Sequence, residues 1–143
     1  MKLGTRARYA VMAAADLALY GKVGPVALSA ISQRQEISLR YLEQIFLKLK
    51  NRELVQSVRG AQGGYLLARP GAMITVAEVI EAVDRKPRMV RCTSAGKGCL
   101  TKGIQCLTHG MWAKLDSHIH AYLSSVTLDD ISKQQVTTEA CHG

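Results

Sequence analysis

The run Ser38-Leu39-Arg40-Tyr41-Leu42-Glu43-Gln44-Ile45-Phe46-Leu47-Lys48-Leu49-Lys50 is followed closely by Leu54-Val55-Gln56-Ser57-Val58-Arg59-Gly60-Ala61-Gln62-Gly63-Gly64-Tyr65-Leu66-Leu67-Ala68. The two pieces have different hydrophobic periods. In the first, Leu42, Ile45, Phe46 and Leu49 stand at i, i+3, i+4 and i+7, which lines one side of an α-helix, and Ser38 is a good N-cap for it. In the second, two short apolar stretches flank a turn with three glycines, which predicts strands over 54–58 and 65–68 joined as a hairpin.

Working outward, residues 6–20 place Tyr9, Met12, Ala13, Leu17 and Tyr20 on one helical face. Gly21, Gly24 and Pro25 end that helix, 26–28 is a short extended piece, and 30–35 makes a second, short helix before Ile37 leads into Ser38. Thr75 with Glu78 three residues on is a capping-box pattern, opening a helix that turns Val76, Val79, Ile80 and Val83 inward and closes near Asp84. Helices followed by a hairpin in this order predict a mainly α chain with a small β-hairpin wing, a winged helix-turn-helix over residues 1–84. Residues 85–106 lack any hydrophobic period and read as a loop that something must organise. A long helix is predicted over 107–125, with Trp112, Leu115, Ile119, Tyr122 and Leu123 as its stripe, and Thr127 with Asp130 caps a short helix ending near 133. Residues 134–143 read as a disordered tail.

The formal charge of +8 points to an acidic polymer or an anionic surface as partner. Its distribution is uneven: residues 1–70 carry eleven Lys and Arg against four Asp and Glu, whereas 71–143 carry eight against seven. The excess sits on the winged-helix half. No run of 18 apolar residues exists, and Asp16 interrupts the Ala-rich stretch after Lys2, Arg6 and Arg8 that otherwise resembles a signal peptide, so a cytoplasmic location without membrane contact is expected.

In a helix-turn-helix the second helix enters the major groove of duplex DNA. Away from the apolar stripe of 39–50 lie Ser38, Arg40, Tyr41, Glu43, Gln44 and Lys48; Arg pairs with guanine, Gln with adenine, and a carboxylate accepts from cytosine. At the hairpin, Arg59 with Gly60, Gly63 and Tyr65 is a second contact candidate, because glycines let backbone approach a phosphate or a narrow groove. Lys2, Arg6 and Arg8 fit phosphate contacts. For each of these cations a plain solvated surface is the bland alternative.

Cys92, Cys99 and Cys106 stand seven apart, with His109 three residues further on. Structural zinc sites usually start from close Cys-x-x-Cys knuckles, and none is present. The even spread suits an iron–sulfur cluster, for which histidine replaces cysteine in some centres; zinc and free reactive thiols remain the alternatives. No Gly-rich nucleotide fingerprint and no convergent acid, base and nucleophile are apparent, so an enzyme is not expected.

Arg8-Tyr9-Ala10, the segment from Ile37 to Phe46, the wing from Val58 to Leu67, and Cys106-Leu107-Thr108-His109 followed by Trp112 together resemble the IscR family of iron–sulfur cluster regulators, over residues 1 to about 133. The resemblance implies a homodimer whose long helices cross, making 107–125 a dimerisation helix. It also implies a 2Fe-2S cluster on Cys92, Cys99, Cys106 and His109, supplied by a cluster-assembly scaffold. The expected activity is binding to a near-palindromic DNA operator, with repression or activation of cluster-biogenesis genes. Related regulators that sense nitric oxide use similarly spaced cysteines without this histidine, often with a 4Fe-4S cluster.

Overall fold

The computed structural model describes residues 3–85, 98–100 and 103–138, the last five as backbone only. In chain order it contains α1 (Thr5–Tyr20), α2 (Leu28–Gln35), α3 (Leu39–Asn51), β1 (Val55–Val58), β2 (Gly64–Leu67), a 3-10 turn (Gly71–Met73), α4 (Val76–Val83), α5 (His109–Ser125) and α6 (Leu128–Thr138). The expected winged helix-turn-helix is present.

Helix α1 lies at the centre, against α2, α3, α4 and α6. Its buried residues are Ala7, Ala10, Ala13, Ala14, Ala15, Asp16, Leu17 and Ala18. This differs from the predicted face, because Met12 and Tyr20 remain exposed. A helix enclosed by four neighbours has room mainly for methyl groups, whereas a reading by periodicity favours large side chains. Leu42, Ile45, Phe46 and Leu49 of α3 are buried as the spacing predicts and join Leu17, Ile31, Ile74 and Val79 in one core.

Two polar devices hold the first three helices in order. The buried Asp16 carboxylate accepts from Arg34 Nε at 2.9 Å and Nη2 at 2.7 Å, and from Gln35 Nε2 at 2.8 Å. This ties α1 to α2, and the Arg34 guanidinium also lies 3.9 Å over the Tyr20 ring. Between α2 and α3, Glu36 takes a left-handed conformation with φ 54°. There Ser32 Oγ donates to the Ile37 carbonyl at 2.6 Å, which shapes the turn of the helix pair.

The hairpin is antiparallel, running from Val55 opposite Leu67 to Val58 opposite Gly64. Tyr65 adds a rung to the extended piece after α1: its N–H donates to the Val26 carbonyl at 2.8 Å, and the Val26 N–H donates back at 3.0 Å. The chains approach so closely that a Cβ on Gly64 would run into the Val26 carbonyl.

The expected capping box of α4 is complete, with Thr75 Oγ1 accepting from the Glu78 N–H at 3.2 Å and the Glu78 carboxylate accepting from the Thr75 N–H at 2.9 Å. Thr127 and Asp130 reciprocate in the same way at the start of α6. Leu128 is fully buried in the main core and donates its N–H to the Ile74 carbonyl. Leu123, Val126 and Ile131 pack on a second cluster of Ala7, Val76 and Ile80. The C-terminal helices therefore share their packing with the winged-helix half. Helix α6 runs to Thr138, so 134–138 are helical in backbone where a disordered tail was expected. Once a capped helix is nucleated, adding a residue without Pro or Gly costs little.

Replacing Asp16 with Ala removes the acceptor for two side chains of α2 and should cost about 2–3 kcal/mol. Thermal unfolding should show Tm lowered by roughly 5–10 °C. A second expectation concerns Glu78. Burial opposes its ionisation, but the Thr75 N–H and Arg69, 3.0 Å away, outweigh that and hold its pKa below the ordinary 4.5. A depressed carboxylate pKa adds stability that is complete above 4.5 and lost as pH falls through the folded-state value. Wild type should therefore unfold at higher temperature than Glu78→Gln at pH 6, and the gap should close as pH falls below 4.5.

Candidate nucleic-acid interface and cysteine site

The core contacts of α3 fix which side chains face outward. With Leu42, Ile45, Phe46 and Leu49 directed into the core, Arg40, Glu43 and Gln44 are exposed and Lys48 is half-buried at the margin. Ser38 is exposed, but its Oγ accepts from the Tyr41 N–H at 3.1 Å and so caps the helix. Tyr41 meets Tyr9 of α1 edge-on, with centroids 5.7 Å apart, and packs at the edge of the core. Its ring is therefore committed to holding α3 on α1.

The wing divides its candidates in the same manner. Arg59 and Gly60 are exposed at the tip, where Gly60 has a φ of 121°, a conformation that strains other residues. The Gly63 N–H is used in closing the turn, donating to the Gly60 carbonyl at 3.0 Å. Tyr65 turns inward, its ring 4.9 Å from Phe46, and fastens the wing to the buried side of α3. Lys50 Nζ donates to Ser57 Oγ at 2.9 Å, a further tie between α3 and β1. Arg6 and Arg8 are exposed in the first turn of α1, and Lys2 lies outside the described residues.

The candidates thus separate into two groups. Arg6, Arg8, Arg40, Glu43, Gln44 and Arg59 are available to a ligand, whereas Ser38, Tyr41, Gly63 and Tyr65 set the shape of the surface. The Asp16–Arg34 clamp that positions α2 was missed in the sequence. Its one signal was a lone carboxylate inside an alanine-rich helix.

At the cysteine site, Cys99 Sγ lies 3.1 Å from His109 Nδ1, and both residues are half-buried. A tight loop brings them together: the Gly103 N–H donates to the Leu100 carbonyl at 3.0 Å and the Leu100 N–H to the Ile104 carbonyl at 3.1 Å. Cys106 does not join the pair. Its Sγ is 3.6 Å from Thr108 Oγ1, and among the described residues no three metal-ligating side chains converge. Helix α5 begins at His109 rather than at 107, so Cys106 lies in the segment before the helix. Cys92 lies outside the described residues. A cysteine sulfur and an imidazole nitrogen 3.1 Å apart are a donor pair suited to iron or zinc.

A helix-turn-helix with a wing, cations on the outward face of the second helix and at the wing tip, and a formal charge of +8 define a DNA-binding transcription regulator. The profile of the Rrf2 family, described as an iron-dependent transcriptional regulator, matches residues 3–134, and the chain belongs to that family. It is 51% identical over 131 residues to a putative HTH-type transcriptional regulator, ORF2, of Azotobacter vinelandii, covering 92% of this chain and 79% of that protein. It is 48% identical over 135 residues to the HTH-type transcriptional regulator IscR of Xenorhabdus nematophila, covering 94% and 81%. Among solved structures, T. potens IscR superposes with a TM-score of 0.78 at 36% identity, covering 94% of this chain and 88% of that one. The relatives are regulators, not enzymes. Among the described residues, no helix is long and apolar enough to cross a membrane.

The two groups of candidates predict different losses. Arg40→Ala should weaken operator binding by about 1–3 kcal/mol and relax preference at one base pair. Arg6→Ala should weaken binding to all duplexes alike and lower the slope of log affinity against log salt by about 1. Titration of labelled duplex at several salt concentrations separates the two patterns.

Proposed function

We propose that the protein is a homodimeric sensor of iron–sulfur cluster status that binds a near-palindromic operator and controls cluster-biogenesis genes. In this reading Cys92, Cys99, Cys106 and His109 hold a 2Fe-2S cluster received from an assembly scaffold. The observation that carries it is the approach of Cys99 Sγ to His109 Nδ1 at 3.1 Å. Kinship with regulators named IscR supports it. When bound, the cluster supplies a redox-active group whose presence reports supply against demand.

The chain's own residues provide the coupling. His109 is the first residue of α5, so holding its ring fixes the start of that helix. The other end is fixed by Leu123 and Val126, which pack on Val76 and Ile80 of α4. Between them, no residue of α5 is buried, and Met111, Leu115 and Tyr122 are exposed. Such a helix suits crossing by its copy in a second chain. The angle of crossing then sets the distance between the two α3 helices, which must match the half-site spacing. A coupling of about 1–3 kcal/mol is enough to switch occupancy.

A second reading, a cluster-free regulator, is favoured by the separation of Cys106 from the other two described candidates; a zinc-bound regulator is the other alternative. The readings are separated by the visible spectrum of anaerobically purified protein, with iron, sulfide and zinc counted on the same sample. The proposal expects about two irons and two sulfides per chain, and a spectrum that changes in His109→Cys. Four irons per chain, zinc alone, or colourless protein after anaerobic reconstitution would each overturn it.

A further inference from the structure

Leu47 was part of no expected site, yet it lies at the middle of the outward face of α3. At 100° per residue, Arg40, Gln44, Leu47 and Asn51 fall on one stripe, opposite the buried Leu42, Ile45, Phe46 and Leu49. Leu47 is 59% exposed, with the exposed Glu43 and Gln44 one turn before it. A leucine there adds nothing to the core, and its isobutyl group neither donates nor accepts a hydrogen bond. On the floor of the major groove, the C5-methyl of thymine is the apolar group that such a side chain can cover.

We propose that Leu47 reads a thymine methyl group in each half-site, an inference that rests on α3 being the helix that faces the groove. The three residues from Gln44 to Leu47 rise about 4.5 Å along the helix. With base pairs about 3.4 Å apart, a helix lying along the groove places the methyl roughly one base pair beyond the base met by Gln44. Arg40, Glu43 and Gln44 read by hydrogen bonds, while Leu47 reads by excluding water from a methyl. A cytosine at that position carries hydrogen at C5 and leaves the leucine no methyl to cover.

The test deletes the methyl and nothing else. An operator is first obtained by selection of the full-length protein from a random duplex pool. Each thymine is then replaced by uracil in both half-sites, and binding is measured for wild type, Leu47→Ala and Arg40→Ala. Thermal unfolding checks that each variant folds. The expected result is one thymine per half-site at which uracil weakens wild-type binding about threefold to tenfold, in the range of one lost methyl contact, with no such loss in Leu47→Ala and the loss retained in Arg40→Ala. Uracil tolerated everywhere, or an equal penalty in Leu47→Ala, overturns the assignment. If in that case Arg40→Ala still loses affinity, the helix faces the groove and only the role of Leu47 fails. If Arg40→Ala also binds as wild type does, the groove-facing role of α3 fails with it.

Discussion

Everything else in the molecule is arranged around the close packing of α1. Helices reach it from four sides, and that is possible because Ala7, Ala10, Ala13, Ala14 and Ala18 present nothing longer than a methyl group. A larger side chain at any of these sites must push a neighbouring helix outward, and overpacking of this kind costs about 1–3 kcal/mol. The displaced element would be part of the DNA-facing unit or one of the C-terminal helices that bear on it. The alanine helix is therefore the reference against which the winged-helix elements and the C-terminal helices are placed. Asp16 fixes rotation about it: a fork to Arg34 and a third bond to Gln35 hold α2 in one orientation on α1.

From that reference the candidate DNA-facing surface is shaped by contacts within the protein. Tyr41 against Tyr9 seats the start of α3, Phe46 against Tyr65 seats the wing on its buried side, and Lys50 to Ser57 ties its end to β1. Tyr65 serves twice, since its backbone also pairs with Val26. Aromatic contacts of this type stabilise by about 0.5–1.5 kcal/mol beyond the area they bury. Their larger effect is on position. Once α3 and the wing are fastened, Arg40 and Arg59 stand at a set separation, and a reader of base edges needs that separation more than it needs additional charge.

The fold was legible where one residue pattern has one physical solution. Leu42, Ile45, Phe46 and Leu49 allow only one buried face, Thr75 with Glu78 allows one helix start, and the glycines between Val58 and Tyr65 allow a hairpin. Legibility failed where a pattern has two solutions. In α1 the large residues suggested a face that the alanines occupy, because burial in a crowded interior selects for small volume as well as apolarity. Tyr41 and Tyr65 are amphipathic, and sequence does not say whether ring or hydroxyl is used; here the rings pack inward. In the cysteine segment the pairing of Cys99 with His109 depends on a loop closed by backbone bonds, which no side-chain pattern encodes.

The path between the two regions is short for a physical reason. Helix α5 stands beyond the winged helix as the chain runs, but the hydrogen bonds from Val76 to Val126 and from Leu128 to Ile74 stitch its far end back onto α4. Leu128 then sits in the same core as Phe46 and Leu17. A tilt of α5 cannot be absorbed locally at that end, because both flanking segments are held by backbone bonds and packed interiors respond by discrete shifts rather than by soft deformation. At the opposite end, His109 is half-buried, and no residue of α5 is buried in the core. The Cys99–His109 pair therefore lies at one end of α5, and the segment stitched into the winged-helix core lies at the other.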